Sequence, residues 1–247
     1  MASSSGKTAR QAPQVVAVVP AAGRGLRMGG HTPKQYLVLG GLPLLVHSLR
    51  VLEASHVISA IVLATPQADL DYCRQDIVGR YGFKKVRQIV AGGAERQDSV
   101  RLGLAAAGSD AEIVLVHDAV RPFLTASMVA LVVEAATKHG AAIVAIPMRD
   151  TVKRAGPDGL IEETVDRKSL WLAQTPQAFK RVLLEEAYAR ALHTGFRATD
   201  DAQLVEHLGH RVAIVEGGTD NIKVTRPEDL VVGESILAAR AKDKADK

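Results

Sequence analysis

Val15-Val16-Ala17-Val18-Val19-Pro20-Ala21-Ala22-Gly23-Arg24-Gly25-Leu26-Arg27-Met28-Gly29-Gly30 is an apolar run that ends at a proline and opens into a loop of small residues. Five consecutive apolar residues without polar alternation describe a strand buried on both faces, as in a parallel sheet covered by helices. The loop behind it, extended by Pro33-Lys34-Gln35-Tyr36, joins small residues to cationic ones. Small side chains let backbone N–H groups approach an anion, and Arg27 and Lys34 add full positive charges. That combination suits a triphosphate. A dinucleotide fingerprint fits less well, because Met28 stands where its third glycine belongs, and Ile61-Val62-Leu63-Ala64 runs into Thr65-Pro66 with no ribose-binding carboxylate.

Outward from this strand the same rhythm repeats. Apolar runs at Ile58 to Ala64, Val86 to Val90, Ile113 to Val116, Ala142 to Ile146 and Val212 to Val215 read as further strands. Amphipathic stretches at 43–54, 68–80, 96–107, 125–139, 179–193 and 227–240 read as helices. The pattern predicts an α/β, Rossmann-like fold: a mostly parallel twisted sheet flanked by helices, with functional loops at the carboxyl ends of its strands. One segment departs from it. Thr151 to Arg154, the turn Gly156-Pro157-Asp158-Gly159 and Leu160 to Val165 read as a β-hairpin arm spanning about residues 149–170. The chain is expected to hold a disordered tail (1–13), a single domain (14–239) and a charged tail (240–247).

Composition excludes several classes. Lys7 and Arg10 at one end, and the excess of lysine and arginine over aspartate from Arg240 to Lys247 at the other, account for the whole net charge of +4. The body is therefore neutral, and with 4% aromatic residues it offers no base-stacking platform for nucleic acid. Gly6-Lys7-Thr8 follows no strand and reads as chance rather than as a phosphate loop. No apolar run approaches the roughly 20 residues that span a bilayer, so no membrane association is expected. The single cysteine, Cys73, excludes an internal disulfide and favours a reducing, cytoplasmic setting.

Other polar clusters follow strands. His117-Asp118-Ala119-Val120-Arg121-Pro122 places an aspartate where a magnesium-bound nucleotide would be met, although helix capping or a turn is its plainer reading. His117 reads as a packed, hydrogen-bonded histidine. Gly92-Gly93-Ala94-Glu95-Arg96-Gln97-Asp98-Ser99 opens a helix and bares glycine backbone, which suits either a polar ligand or an ordinary turn. Thr164-Val165-Asp166-Arg167, Gln174-Thr175-Pro176-Gln177, Thr199-Asp200-Asp201 and Asp220-Asn221-Ile222-Lys223-Val224-Thr225 come later, with Thr199 and Thr225 placed as helix N-caps.

Taken together and in this order, from about Val15 to Leu237, these motifs resemble the 2-C-methyl-D-erythritol 4-phosphate cytidylyltransferases of the non-mevalonate isoprenoid pathway. The resemblance also rests on Arg149-Asp150-Thr151 and Trp171. It departs at Ala94, where some members carry an aspartate, and at Val120, where alanine is frequent. It implies a fold of the nucleotide-diphospho-sugar transferase type and transfer of CMP from CTP to the acceptor phosphate. At 247 residues the chain is expected to lack the cyclodiphosphate synthase domain fused to some relatives.

By resemblance, Arg27, Lys34, Arg167 and Lys223 are the catalytic residues. Ala21, Ala22, Gly23, Gly25, Gly93, Ala94, Arg96, Ser99 and Asp118 would hold the nucleotide. Arg121, Thr151, Arg167, Thr175, Thr199 and Lys223 would hold the acceptor. Asp118 and Asp220 would meet Mg²⁺ or another divalent cation. The arm implies a homodimer, with Thr151 and Arg167 entering the partner's site. Because the nucleophile is a phosphate oxygen already ionised near neutral pH, no general base is needed, and positioning and electrostatics carry the reaction. Ribitol 5-phosphate is the rival acceptor, against which Pro20-Ala21-Ala22-Gly23 and Thr164-Val165-Asp166-Arg167 argue. A non-catalytic nucleotide sensor is the rival of another class.

Overall fold

The computed structural model describes residues 13–23 and 32–245. Gly25, Arg27 and the N-terminal residues 1–12 lie outside the described residues. The opening strand, β1 (Val15–Pro20), lies inside a seven-stranded sheet. Its side chains alternate between two cores, as the period of a strand dictates. Val15, Ala17 and Val19 enter one core with Leu45, Leu49 and Val132; Val16 and Val18 enter the other with Val100 and Leu184. Burial of each such valine contributes about 1.5–3 kcal/mol.

A two-stranded ribbon of β2 (Val38–Leu39) and β3 (Leu42–Pro43) leads into α1 (Leu44–Ala54). Then come β4 (Ala60–Thr65), α2 (Leu70–Tyr72), β5 (Val86–Ala91), α3 (Arg96–Ala105), β6 (Ile113–Val116), α4 (Ala126–His139) and β7 (Ala141–Pro147). Thr125 caps α4 by accepting from Met128 N, and Gly140 ends it with φ +90°, a conformation glycine adopts without a Cβ penalty. The arm is an antiparallel pair, β8 (Val152–Ala155) and β9 (Ile161–Val165). After it come β10 (Trp171–Lys180), α5 (Arg181–Thr194), α6 (Asp201–His207), β11 (Ala213–Glu216) and α7 (Pro227–Ala245). The sheet order is β11-β7-β10-β6-β1-β4-β5, parallel except for β10.

The structure corrects the sequence reading in five places. Trp171–Lys180 is a central strand antiparallel to both neighbours, although Pro176 and two glutamines disguise it. Its register shifts between Ala173 and Gln177, so the proline, in a cis peptide with Thr175, falls at an irregularity where no ladder hydrogen bond is required. Residues 68–80 do not form one α-helix: α2 continues as a π-helix, Cys73–Gly79. The charged stretch read as a tail from Arg240 instead continues α7 to Ala245. Arg240 is anchored by Asp220 and the Phe123 carbonyl and lies over the Phe123 ring. Finally, the cap of α6 is Asp200, whose carboxylate accepts from Gln203 N, rather than Thr199. At Thr225 the capping runs backwards, because Asp229 accepts from the Thr225 amide and hydroxyl.

Candidate active site

On either side of β1 the chain turns in opposite directions, to β4 and β5 on one flank and to β6 on the other. Such a switch point leaves a crevice at the carboxyl ends of the strands. Here it is a cleft of about 310 Å³, formed by the ends of β1, β5 and β6 and by the loop ahead of α7. From the first loop come Ala21, Ala22, Gly23 and Lys34; from the second, Gly93, Ala94, Arg96 and Ser99; from the others, Asp118 and Lys223. The structure thus gathers ten of the predicted site residues on one surface.

The nucleotide side is built on close backbone approach. A Cβ on Gly92 would lie 2.4 Å from Ala22 Cβ and 2.8 Å from Ser99 Oγ, and one on Gly93 would lie 2.3 Å from Asp98 Cβ. Only glycine lets the β5 loop lie flat against both the first loop and α3. The Gly93 amide donates to Ser99 Oγ (3.1 Å), which in turn donates to the Glu95 carbonyl (3.1 Å). Glu95 and Asp98 form a capping box that fixes the start of α3, and therefore the base of Arg96.

Asp118 is the anionic centre. It is 5% exposed, and its amide donates to Thr175 Oγ1. Arg96 Nε donates to its Oδ1 at 2.8 Å, Lys223 Nζ lies 2.7 Å from its Oδ2, and Arg121 Nε stands 4.0 Å away. Burial raises the pKa of this carboxyl, but Arg96 and Lys223 lower it further, to well below the usual carboxylate range. Beside it, His117 is fully buried. Thr175 Oγ1, which accepts from the Asp118 amide, donates to His117 Nδ1; His117 Nε2 donates to the Arg121 carbonyl. Burial pushes the imidazole down to about 4, so it is neutral at physiological pH and acts as a brace, as the sequence reading expected.

The remaining predicted residues sit elsewhere. The Thr175 hydroxyl is 4% exposed and engaged by His117 and Asp118, so it belongs to the scaffold rather than to the cleft wall. Arg121 stands behind Asp118 with Nη1 on the Asn221 carbonyl. Thr199 bonds Gln203 outside the cleft. Thr151 and Arg167 lie on the arm, where the Arg167 guanidinium donates to the Arg149 carbonyl. Neither lines the cleft. Asp220 is paired with Arg240 and is not a cleft residue either, because α7 takes its carboxylate.

Among the described residues no group of three or more His, Cys, Asp or Glu side chains could hold a metal ion alone. One cleft carboxylate suits magnesium, which binds through one or two carboxylates together with substrate phosphates. A larger cavity of about 580 Å³ opens at the opposite ends of the strands, between Ile113 and Lys180, and contains none of the candidate residues.

Residues 15–239 match the family model for 2-C-methyl-D-erythritol 4-phosphate cytidylyltransferase. The chain belongs to that family.

The curated cytidylyltransferase of Syntrophus aciditrophicus is 49% identical over 225 residues, covering 91% of this chain and 96% of the relative. That of Pelotomaculum thermopropionicum is 50% identical over 227 residues, covering 92% and 95%. Among solved structures, the 4-diphosphocytidyl-2C-methyl-D-erythritol synthase of Anaerococcus prevotii superposes with a TM-score of 0.83 at 33% identity, covering 92% of this chain and 97% of that one. The Thermus thermophilus cytidylyltransferase gives 0.73 at 38% identity, covering 90% and 98%.

Within this cytidylyltransferase fold, some site residues escaped the sequence reading. Pro20, Gln35, Glu95, Ala119 and Val120 also line the cleft, and their positions beside called residues were the available signal. Asn221 is fully buried and donates to Gln174 Oε1 and to the Thr175 carbonyl, tying the Lys223 loop to β10. Gln177 donates to Asp200 and accepts from the Ala202 amide, fixing α6 against the same strand. No local pattern announces these ties, since each joins segments distant in the chain.

Proposed function

We propose that this chain transfers the cytidylyl group of CTP to the phosphate of 2-C-methyl-D-erythritol 4-phosphate, releasing pyrophosphate and 4-diphosphocytidyl-2-C-methyl-D-erythritol. The observation that carries this reading is the convergence of Lys34, Arg96 and Lys223 with the glycine-bared β5 loop on one cleft, in a chain of the cytidylyltransferase family.

Two anions must meet there, and the side chains supply what their approach requires. Ala21, Ala22, Gly23, Gly93, Ala94 and Ser99 hold the cytidine, and the small side chains keep the backbone within reach of its polar edge. Lys34 faces the phosphates and, with Arg27 assigned there by resemblance, stabilises charge as an acceptor oxygen attacks the α-phosphorus in line with the leaving pyrophosphate. Lys223 orients the acceptor phosphate, and Arg121 adds positive charge from behind Asp118. Asp118 would hold Mg²⁺, or another divalent cation, together with phosphate oxygens, and the ion would supply further neutralisation of the triphosphate. No side chain needs to take a proton, because the attacking phosphate is already ionised.

We further propose a cytoplasmic homodimer in which Thr151 and Arg167 of each arm complete the partner's acceptor site. Support comes from the arm's exposed apolar side chains, Leu160 at 69% and Ile161 at 64%, and from the fact that neither Thr151 nor Arg167 lines its own cleft. Among the described residues no helix is long and apolar enough to cross a membrane.

The test offers CTP, UTP, ATP and GTP against methylerythritol phosphate and ribitol 5-phosphate, and measures pyrophosphate release. Preferential release with CTP and methylerythritol phosphate is expected. Equal or better use of ribitol 5-phosphate, or binding of CTP without release, would replace this reading with the ribitol enzyme or with a sensor.

A further inference from the structure

Behind Asp118 stands a second buried carboxylate that the reaction as described does not use. Asp201 opens α6 and is 1% exposed, yet the cap of that helix is its neighbour Asp200. Tyr188 of α5, 3% exposed, donates its hydroxyl to Asp201 Oδ1. On the other side, Arg96 Nη2 lies 2.8 Å from Asp201 Oδ2, while Arg96 Nε holds Asp118 Oδ1. One guanidinium thus faces carboxylates from different elements at two of its nitrogens: Nε is hydrogen-bonded to Asp118, and Nη2 is in ion-pair contact with Asp201 without a well-formed hydrogen bond. Neither Asp201 nor Tyr188 lines the cleft.

A buried carboxylate costs several kcal/mol of desolvation, and a well-packed apolar side chain usually closes such a seam at least as stably. Packing alone therefore does not account for the charge. Its geometry does: Arg96, Arg121 and Lys223 all crowd one carboxylate, and Asp201 draws off part of the charge of Arg96 from behind.

We propose that Asp201 is a positioning residue for cytidylyl transfer, acting through Arg96 to leave Asp118 Oδ2 to Lys223 and so to fix the Lys223 ammonium at the cleft wall. The proposal rests on reading the cleft as the site where CTP meets its acceptor. Without the Asp201 charge, Arg96 shifts fully onto Asp118 and competes with Lys223 for its oxygens. Lys223 then leaves its place, and the loss falls on the transition state rather than on ground-state binding.

The test is Asp201→Asn, which keeps the volume and still accepts from Tyr188. Displacement of a catalytic group predicts a fall in kcat of about tenfold or more, with both KM values changed by less than about twofold. In a Lys223→Ala background the same substitution should have almost no further effect, because its route runs through Lys223. General destabilisation would instead multiply the two losses. Should Asp201→Asn fail to fold, Tyr188→Phe replaces it in the same cycle, with a fall in kcat of about threefold expected from loosening one of the hydrogen bonds on the carboxylate. An unchanged kcat, a loss confined to KM, or multiplied losses would overturn the proposal. An inactive parent enzyme would instead remove the underlying reading of the cleft, whereas an active parent with a fully active Asp201→Asn variant removes only the positioning role.

Discussion

Lys223 Nζ lies 2.7 Å from Asp118 Oδ2, an ion pair that joins the loop ahead of α7 to the end of β6. Its partners differ in burial, Asp118 at 7% and Lys223 at 35% side-chain exposure, so the two ends of the pair are not equivalent. Removal of Asp118 orphans cations packed around a buried site. Removal of Lys223 leaves Asp118 still held by Arg96. Asp118→Ala is therefore expected to cost about 3–5 kcal/mol of stability, the usual toll of breaking a buried pair from one side. Lys223→Ala should unfold near the parent midpoint but lose about 100-fold in turnover, as when a transition-state donor is deleted. Urea denaturation beside steady-state pyrophosphate release checks both, and equal destabilisation by the two variants would contradict the asymmetry.

Lys34 also lines the cleft, on the short turn Lys34–Tyr36. Lys34→Ala is expected to lower kcat by about 100-fold with the fold intact. Turnover at the parent level would refute its assigned role at the phosphates.

Gly92→Ala tests the backbone approach. The added methyl meets Ala22 Cβ and Ser99 Oγ inside normal contact distance, so the first loop or α3 must move. Overpacking of this kind costs about 1–3 kcal/mol. The displaced wall is the nucleotide wall, so the KM for CTP should rise more than that for the acceptor. A variant with unchanged stability and CTP use would show that the contact relaxes freely.

His117 gives the protein an acid-sensitive brace. Burial lowers its pKa from 6.5 in the unfolded chain to about 4 in the folded one, so the unfolded state binds the proton more readily. The stabilisation is complete above about pH 6.5 and is lost as the pH falls from there to about 4, amounting to about 3 kcal/mol over the window. Asp118, whose folded pKa is depressed by its cations, adds a loss at still lower pH. Denaturant midpoints measured from pH 7 to pH 4 should show the first slope, and His117→Gln should flatten it. A slope unchanged in that variant would assign the acid sensitivity to other groups.

Arg167 tests the shared site. Mixed dimers of an Arg167→Ala subunit and a Lys34→Ala subunit contain one cleft with its own Lys34 and an intact arm from the partner. Activity well above that of either parent variant is expected on mixing. No recovery would mean that each Arg167 serves its own subunit.

The chemistry on single loops was legible because it is local: the proline-terminated strand, the alanine–glycine loop and Pro33-Lys34-Gln35-Tyr36 each state their case within a few residues. The central antiparallel strand was hidden because Pro176, Gln174 and Gln177 look unlike a sheet interior. The sheet accommodates the proline at a register shift, and both glutamines are buried with partners. The grip of Asp118 and Asp201 on Arg96 joins β6, α3 and α6, which only folding brings together. Asp220 was assigned to the metal by resemblance alone, but Arg240, read as part of a charged tail, returns along α7 to claim it.

The most direct measurement is a crystal structure with CTP, a non-reactive acceptor phosphate and Mg²⁺. The account predicts the triphosphate in the cleft between Lys34 and the β5 loop, with the acceptor phosphate approaching the α-phosphorus from the Lys223 side. Nucleotide bound in the larger cavity between Ile113 and Lys180, with the Asp118 cleft untouched, would contradict it.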